Sequence, residues 1–171
     1  AGEACSVFES GNVVRFSIRA YAPIKKDGAV IGVVIVGQDL SNNSTLVDGV
    51  KKDLGAEATI FYGDTRVSTS LVVDGKRAVG TALENKAIVD AVLRQGKTYF
   101  GDNMLFGRDY RTAYEPLKNG DNIVGMIFVG VDISQAMAAR DAIIKQIGLA
   151  GLCSLLLFAS LAWWLSKVLT R

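Results

Sequence analysis

Two stretches of the chain carry the same order of aromatic, polar and unbroken apolar positions. Residues 20–41 read AYAPIKKDGAVIGVVIVGQDLS and residues 113–134 read AYEPLKNGDNIVGMIFVGVDIS, aligned without a gap at a constant offset of 93. Tyr and the β-branched run favour extended chain, and Pro23 and Pro116 suit a strand end or edge. A polar turn and a nearly continuous apolar run come next. Each copy therefore predicts a β-hairpin with a largely buried second strand, closing in an Asp-hydrophobe-Ser strand end that passes into a helix cap. A repeat of this size indicates a module present twice. Only about 41 residues precede the end of the first copy, so that module is expected to lack its first half.

Between the copies the period changes. Leu46, Val47, Val50 and Leu54 share one helical face, with Asn or Ser as cap and Gly55 as stop. Two strands joined at Gly63–Asp64 come after it, then a turn at Asp74–Gly75. Residues 83–95 predict a second helix with Ala87, Ile88, Ala91 and Val92 inward and Gly96 as its stop. Two further strands meet at a Phe106–Arg108 turn ahead of the second hairpin. Upstream, residues 1–19 predict two strands around Ser10–Asn12. The pattern is that of an α+β domain with an antiparallel sheet of about five strands.

From Ile147 to Leu165 the chain carries no charge. Nineteen residues at the helical rise span about 29 Å, the thickness of a bilayer's hydrocarbon core. Trp163 and Trp164 stand near one end, and Lys145, Lys167 and Arg171 flank the run, which predicts a transmembrane helix with the globular region outside. Residues 133–146 contain no helix breaker, so one stiff helix is expected from domain to membrane.

Composition narrows the chemistry. The 171 residues carry a net charge of +2 with signs interspersed, which is no footprint for nucleic acid. Histidine is absent, removing the commonest general base and metal ligand. Cys5 and Cys153 have no second ligand or catalytic partner beside them. Neither a cofactor, a metal site nor an enzymatic activity is expected of this part of the chain.

The run GAEATIFYGDTRVSTSLVVDGKRAVGTAL, with GKTYFGDNMLFGRDYRTAYEPL and NIVGMIFVGVDIS, resembles the extracytoplasmic Cache sensor domains of bacterial methyl-accepting chemotaxis proteins, in a tandem Cache arrangement. The resemblance implies a PAS-like Cache fold. It divides the chain into a remnant of a membrane-distal module (1–41), a membrane-proximal sensor (42–132), a stalk helix (133–146), a transmembrane helix (147–165) and the start of a cytoplasmic HAMP linker (166–171). It implies a homodimer in the inner membrane with a periplasmic sensor. Such a sensor binds a small organic anion such as a short carboxylate and signals to cytoplasmic partners. Related sensors also sit on histidine kinases and diguanylate cyclases.

Cache domains place a small-ligand pocket on one side of the sheet. Strand alternation puts Tyr110, Thr112 and Tyr114 on one face, and Arg66, Ser68 and Ser70 on one face of an earlier strand. Arg66 can grip a carboxylate bidentately, with Tyr99 as a pocket wall. The candidate ligand residues are thus Arg66, Ser68, Tyr99, Tyr110, Thr112 and Tyr114. Arg66 comes directly after a turn and equally suits a solvated hairpin, and the match of Tyr114 to Tyr21 equally suits a structural role. Lys76, Arg77 and Arg108 read as solvated loop charges. The uncovered apolar face of residues 12–36 predicts that removing residues 1–41 improves solubility.

Overall fold

A computed structural model describes residues 2–41 and 43–169. Asn42, Thr170 and Arg171 lie outside the described residues, so the end of the expected HAMP entry at 166–171 and the flanking charge of Arg171 lie outside them too. The chain divides into two units, residues 1–132 and residues 133–171.

In the first unit, β1 (Cys5–Glu9), β2 (Ser17–Lys26) and β3 (Ala29–Asp39) form an antiparallel sheet in that order. Helix α1 (Thr45–Leu54) comes next and ends at Gly55, whose φ of 66° is the left-handed C-cap that glycine favours. Strands β4 (Glu57–Tyr62), β5 (Thr65–Thr69), β8 (Tyr99–Leu105), β9 (Arg108–Asn119) and β10 (Asn122–Asp132) form the expected five-stranded sheet, in the order β5-β4-β10-β9-β8. A small hairpin, β6 (Val72–Val73) and β7 (Lys76–Arg77), intervenes.

The expected helix over 83–95 is shorter than its pattern. Asn85 caps it, its side-chain oxygen accepting from the Ala87 and Ile88 amides. Helix α2 (Lys86–Val89) then widens into a π-helical turn at Asp90–Arg94. Ile88 and Val92 are buried as the period requires, Ala91 is half-buried, and Ala87, expected inward, is exposed on this shortened helix.

The five-stranded sheet has a core on each face. Phe61, Met126, Phe128 and Tyr114 pack with Leu83, Ile88 and Val92 on one side. Ala58, Ile60 and Val67 pack with Val47 of α1 on the other. Each such apolar side chain contributes about 1.5–3 kcal/mol when fully buried. Phe16 and Leu40 belong to the second core and are 1% and 7% exposed. Asn119 adds a polar clamp, accepting from the Phe8 amide at 2.7 Å and donating to the Phe8 carbonyl at 2.6 Å. These contacts tie residues 1–41 to the sensor sheet. Their loss would uncover the α1 face of the sensor sheet.

The repeat is preserved down to its irregularity. In the second copy the pairing of β9 with β10 slips between Ile123 and Gly125. In the first, Ile24 pairs with Gly32 and Lys25 with Val30, so Ile31 is the extra residue where Val124 stands 93 positions later. The two copies differ in what lies beyond. Strand β10 is paired by β4 along Gly125–Gly130, whereas β3 is an edge of its sheet. The second strand of the first copy, predicted to be buried, is accordingly exposed, Val33 by 54% and Ile35 by 59%.

The second unit is one helix, α3 (Ser134–Leu169), unbroken over the expected stalk and span. It is long and apolar enough to cross a membrane.

A Cβ at Gly125 would overlap the Phe61 carbonyl oxygen, while one at Gly32 would meet only the Ile24 side chain at 3.5 Å. Gly125→Ala should therefore cost about 3 kcal/mol or more, and Gly32→Ala less than about 1 kcal/mol. Thermal unfolding of the two variants side by side checks this. Deleting residues 1–41 should lower the unfolding midpoint of the sensor, because Phe16 and Leu40 leave its core.

Candidate functional site

The Asp64–Thr65 corner leads into β5, whose pairing with β4 slips by one residue. Phe61 pairs with Arg66, and Ile60 pairs with Ser68, leaving Val67 as a bulge. A bulge inverts the side-chain parity of the residues after it. Arg66 therefore lies on the face of Phe61, and Ser68 on that of Ile60. The expectation that Arg66 and Ser68 share a face is corrected by this one extra residue. Ser68 instead donates to the Asn43 carbonyl at 3.3 Å, on the α1 side.

Arg66 is not a solvated hairpin residue, being only 3% exposed. Its Nη1 donates to the Thr81 hydroxyl at 2.9 Å and to the Ala82 carbonyl at 2.8 Å, with a longer contact to the Thr81 carbonyl. The guanidinium carbon lies 5.2 Å from the ring centroid of Phe61 and 5.1 Å from that of Phe106. Such contacts contribute about 2 kcal/mol when desolvated. Nε is buried without a partner. Among the described residues no carboxylate pairs with Arg66. Burial accordingly lowers its pKa, although arginine remains a cation.

Arg66 lines a cavity of about 480 Å3 together with Thr81, Glu84, Asn85, Asn103 and Phe106, and with apolar surface from Leu83, Met104 and Leu105. Phe106 and Gly107 form the two-residue turn between β8 and β9. Their φ values of 49° and 78° are both left-handed. This turn geometry favours Asn or Asp before Gly, and a bulky Phe there is a local strain that surrounding contacts must hold. Behind the cavity, Asn85 donates to Asn103 at 3.1 Å, and Asn103 donates to the Tyr114 hydroxyl at 3.3 Å. A buried cation beside polar amides and an aromatic wall can hold a small anion.

The model of "Single cache domain 3" matches residues 38–143, well over half of the chain. The chain belongs to the single cache domain 3 family. No match was found among curated proteins. Among solved structures, the chain is similar to a structure described as methyl-accepting chemotaxis protein X, at 15% identity and a TM-score of 0.45, covering 77% of this chain and 51% of that one. It is also similar to the ligand-binding domain of the Pseudomonas fluorescens chemoreceptor CtaA in complex with L-isoleucine, at 16% identity and 0.42, covering 81% and 56%. A third is that of the Pseudomonas aeruginosa PAO1 amino acid chemoreceptor PctB with L-Gln, at 19% and 0.40, covering 86% and 60%. The chain spans between half and two thirds of the length of these three.

On this cache sheet the six expected site residues separate. Arg66 lines the cavity, and Tyr114 reaches it through Asn103. Tyr110, Thr112 and Tyr114 do share a buried face. Thr112, however, donates to the Gly101 carbonyl at 2.8 Å, and Tyr110 borders a separate cavity of about 310 Å3 beside Arg108 and Glu57. Tyr99 meets Tyr114 edge-on at 6.2 Å and lies over Gly101, so it packs along the sheet. Thr81, Glu84, Asn85, Asn103 and Phe106 were not among the expected residues. Only Phe106 left a signal, as a bulky residue before Gly in a hairpin turn. Arg77, expected to be solvated, binds both oxygens of Asp48 at 2.8 and 2.9 Å and the Thr69 carbonyl at 2.8 Å.

Burial pushes the Tyr114 phenol up from 10.0 to about 12, opposed by the Asn103 hydrogen bond and the Arg66 charge. The folded state thus keeps a proton that the unfolded chain loses first. This contribution to stability is whole below about pH 10 and is lost as pH rises toward about 12, by at most about 2.7 kcal/mol. Tyr114→Phe should flatten that part of the alkaline decline, read as a smaller change in urea midpoint between about pH 9 and about pH 11 than in the parent protein.

Proposed function

We propose that the chain is the extracytoplasmic ligand-sensing part of a transmembrane chemoreceptor of the inner membrane, and that its cavity binds a small organic anion. Arg66 is the observation that carries this reading. A buried guanidinium without a carboxylate partner costs stability that packing alone could supply more cheaply, and perturbed charges of this kind gather at functional sites. Membership of a sensor-domain family and the unbroken apolar helix support the same conclusion.

Ligand binding biases two arrangements of the cache module, and the bias passes into α3, which begins at Ser134, separated by Ile133 alone from the end of β10 at Asp132. The repeated hairpin with its repeated bulge supports reading residues 1–41 as the closing part of a second module of the same kind.

A thermal-shift screen of small organic anions against the full chain in detergent tests the proposal. At least one anion should raise the unfolding midpoint saturably, by the equivalent of about 2.7 kcal/mol at a hundredfold excess over its Kd. The rise should vanish in Arg66→Gln. A broad library without any such anion would sink the reading.

A further inference from the structure

We infer that Phe106 is a gate, its ring closed against the Arg66 guanidinium in this structure and able to swing aside as its turn relaxes. The movement stands on the turn and its surroundings alone. Its use as a control on ligand access rests on reading the Arg66 cavity as the ligand site.

Among the described residues, three turns put a non-glycine residue of left-handed φ directly before a glycine. They are Asp27–Gly28 at 52° and 81°, Asp74–Gly75 at 49° and 75°, and Phe106–Gly107 at 49° and 78°. Aspartate tolerates this region because its short polar side chain bonds to nearby backbone. Phenylalanine gains nothing from it and is strained there. Two of the turns thus carry the residue that the backbone favours, and the third carries one whose value lies in its ring. Backbone outliers of this kind gather at ligand clamps and switch regions.

Two rings lie against the Arg66 guanidinium, and only one of them is free to move. Phe61 is packed into the core of the sensor sheet and fully buried, so its neighbours hold it in place. Phe106 is 48% exposed. It also lines both the cavity of about 480 Å3 and the cavity of about 310 Å3 beside Arg108 and Tyr110, which leaves its ring unfilled space to enter. Opening loses the cation–π contact and recovers the backbone strain, and the two quantities are of the same order. Closed and open turns therefore lie close in free energy. An anion in the cavity reaches more of the guanidinium once the ring has moved, so binding selects the open state.

Fluorine NMR of the full chain in detergent, with para-fluorophenylalanine at position 106, reads the gate without any ligand. Two resonances, or one broadened by exchange, should appear, and the open share should rise in Arg66→Gln, which removes the charge beneath the ring. Phenylglyoxal, a reagent for accessible guanidinium groups, gives a second readout by mass spectrometry. In the parent protein Arg66 should be modified more slowly than Arg94, whose side chain is 77% exposed. Its rate should not change in low urea, the mark of local opening and not of global unfolding. Phe106→Asn suits the turn and removes the ring, and there Arg66 should be modified about tenfold faster or more, with far-ultraviolet circular dichroism unaltered. One sharp resonance in both the parent and Arg66→Gln makes Phe106 a fixed wall and overturns the inference. So does modification of Arg66 that climbs with urea in step with global unfolding, or that is no faster in Phe106→Asn. Each of these failures leaves the cavity as the ligand site, which the anion screen decides separately.

Discussion

Everything in the sensor sheet depends on β10 having a neighbour on each side. Its pairing with β4 brings the Phe61 carbonyl against Gly125 so closely that no side chain fits between them. That approach sets Phe61 beside Arg66 on the other side of β4, and it buries Met126 and Phe128. The first copy shows what the same sequence does without the constraint. Strand β3 keeps the hairpin, the bulge and the glycine, yet its valines and isoleucines stand in the open. Hydrophobic pattern specifies a strand, and only the neighbouring strand decides whether that strand is buried.

The second organising fact is a charge held where charges are costly. Stripping water from a guanidinium costs several kcal/mol even after relaxation. The contacts that offset this here are two good hydrogen bonds from Nη1 and two aromatic rings. They account for one end of the group and leave its Nε–Nη2 side unanswered. An ordinary structural arginine shows the contrast. Arg77 spends its guanidinium on both oxygens of Asp48 and on a backbone carbonyl, tying the β6–β7 hairpin to α1. The two residues differ in burial and in satisfaction, and both differences point the same way.

Much of this was legible in the sequence. The five strands of the sensor sheet, the α1 face around Val47, the membrane-length helix and the shared face of Tyr110, Thr112 and Tyr114 are all consequences of period and turn chemistry. What was not legible has particular causes. A bulge at Val67 moved Ser68 to the opposite face, and a bulge announces itself only when a strand is seen beside its partner. Thr81, Asn85 and Asn103 come to Arg66 from segments 15 to 37 positions away, and nothing in their local sequence marks such a meeting. That Phe16 and Leu40 also join the core around Val47 and Ile60 was not legible, because that packing brings distant parts of the chain together. Sequence reasoning also underrated Arg66, since a residue next to a turn is usually solvated.

The hairpin tip that covers Arg66 has a second attachment. Phe106 stands over the guanidinium, and two residues later Arg108 pairs with Asp132, the last residue of β10, at 3.4 Å. This exposed pair is too weak to carry a signal alone, since such contacts contribute about 0–1 kcal/mol. Ligand coupling usually requires about 1–3 kcal/mol. The stronger connection is the ladder itself. Tyr110 pairs directly with Asp132, and Thr112 with Gly130, so any displacement of the Phe106 turn is borne by the β9 residues hydrogen-bonded to the end of β10. The strained turn and that ladder are one continuous backbone. The Phe106 turn is thus tied to the end of β10 chiefly through the strand ladder, with the Arg108–Asp132 pair as a modest addition.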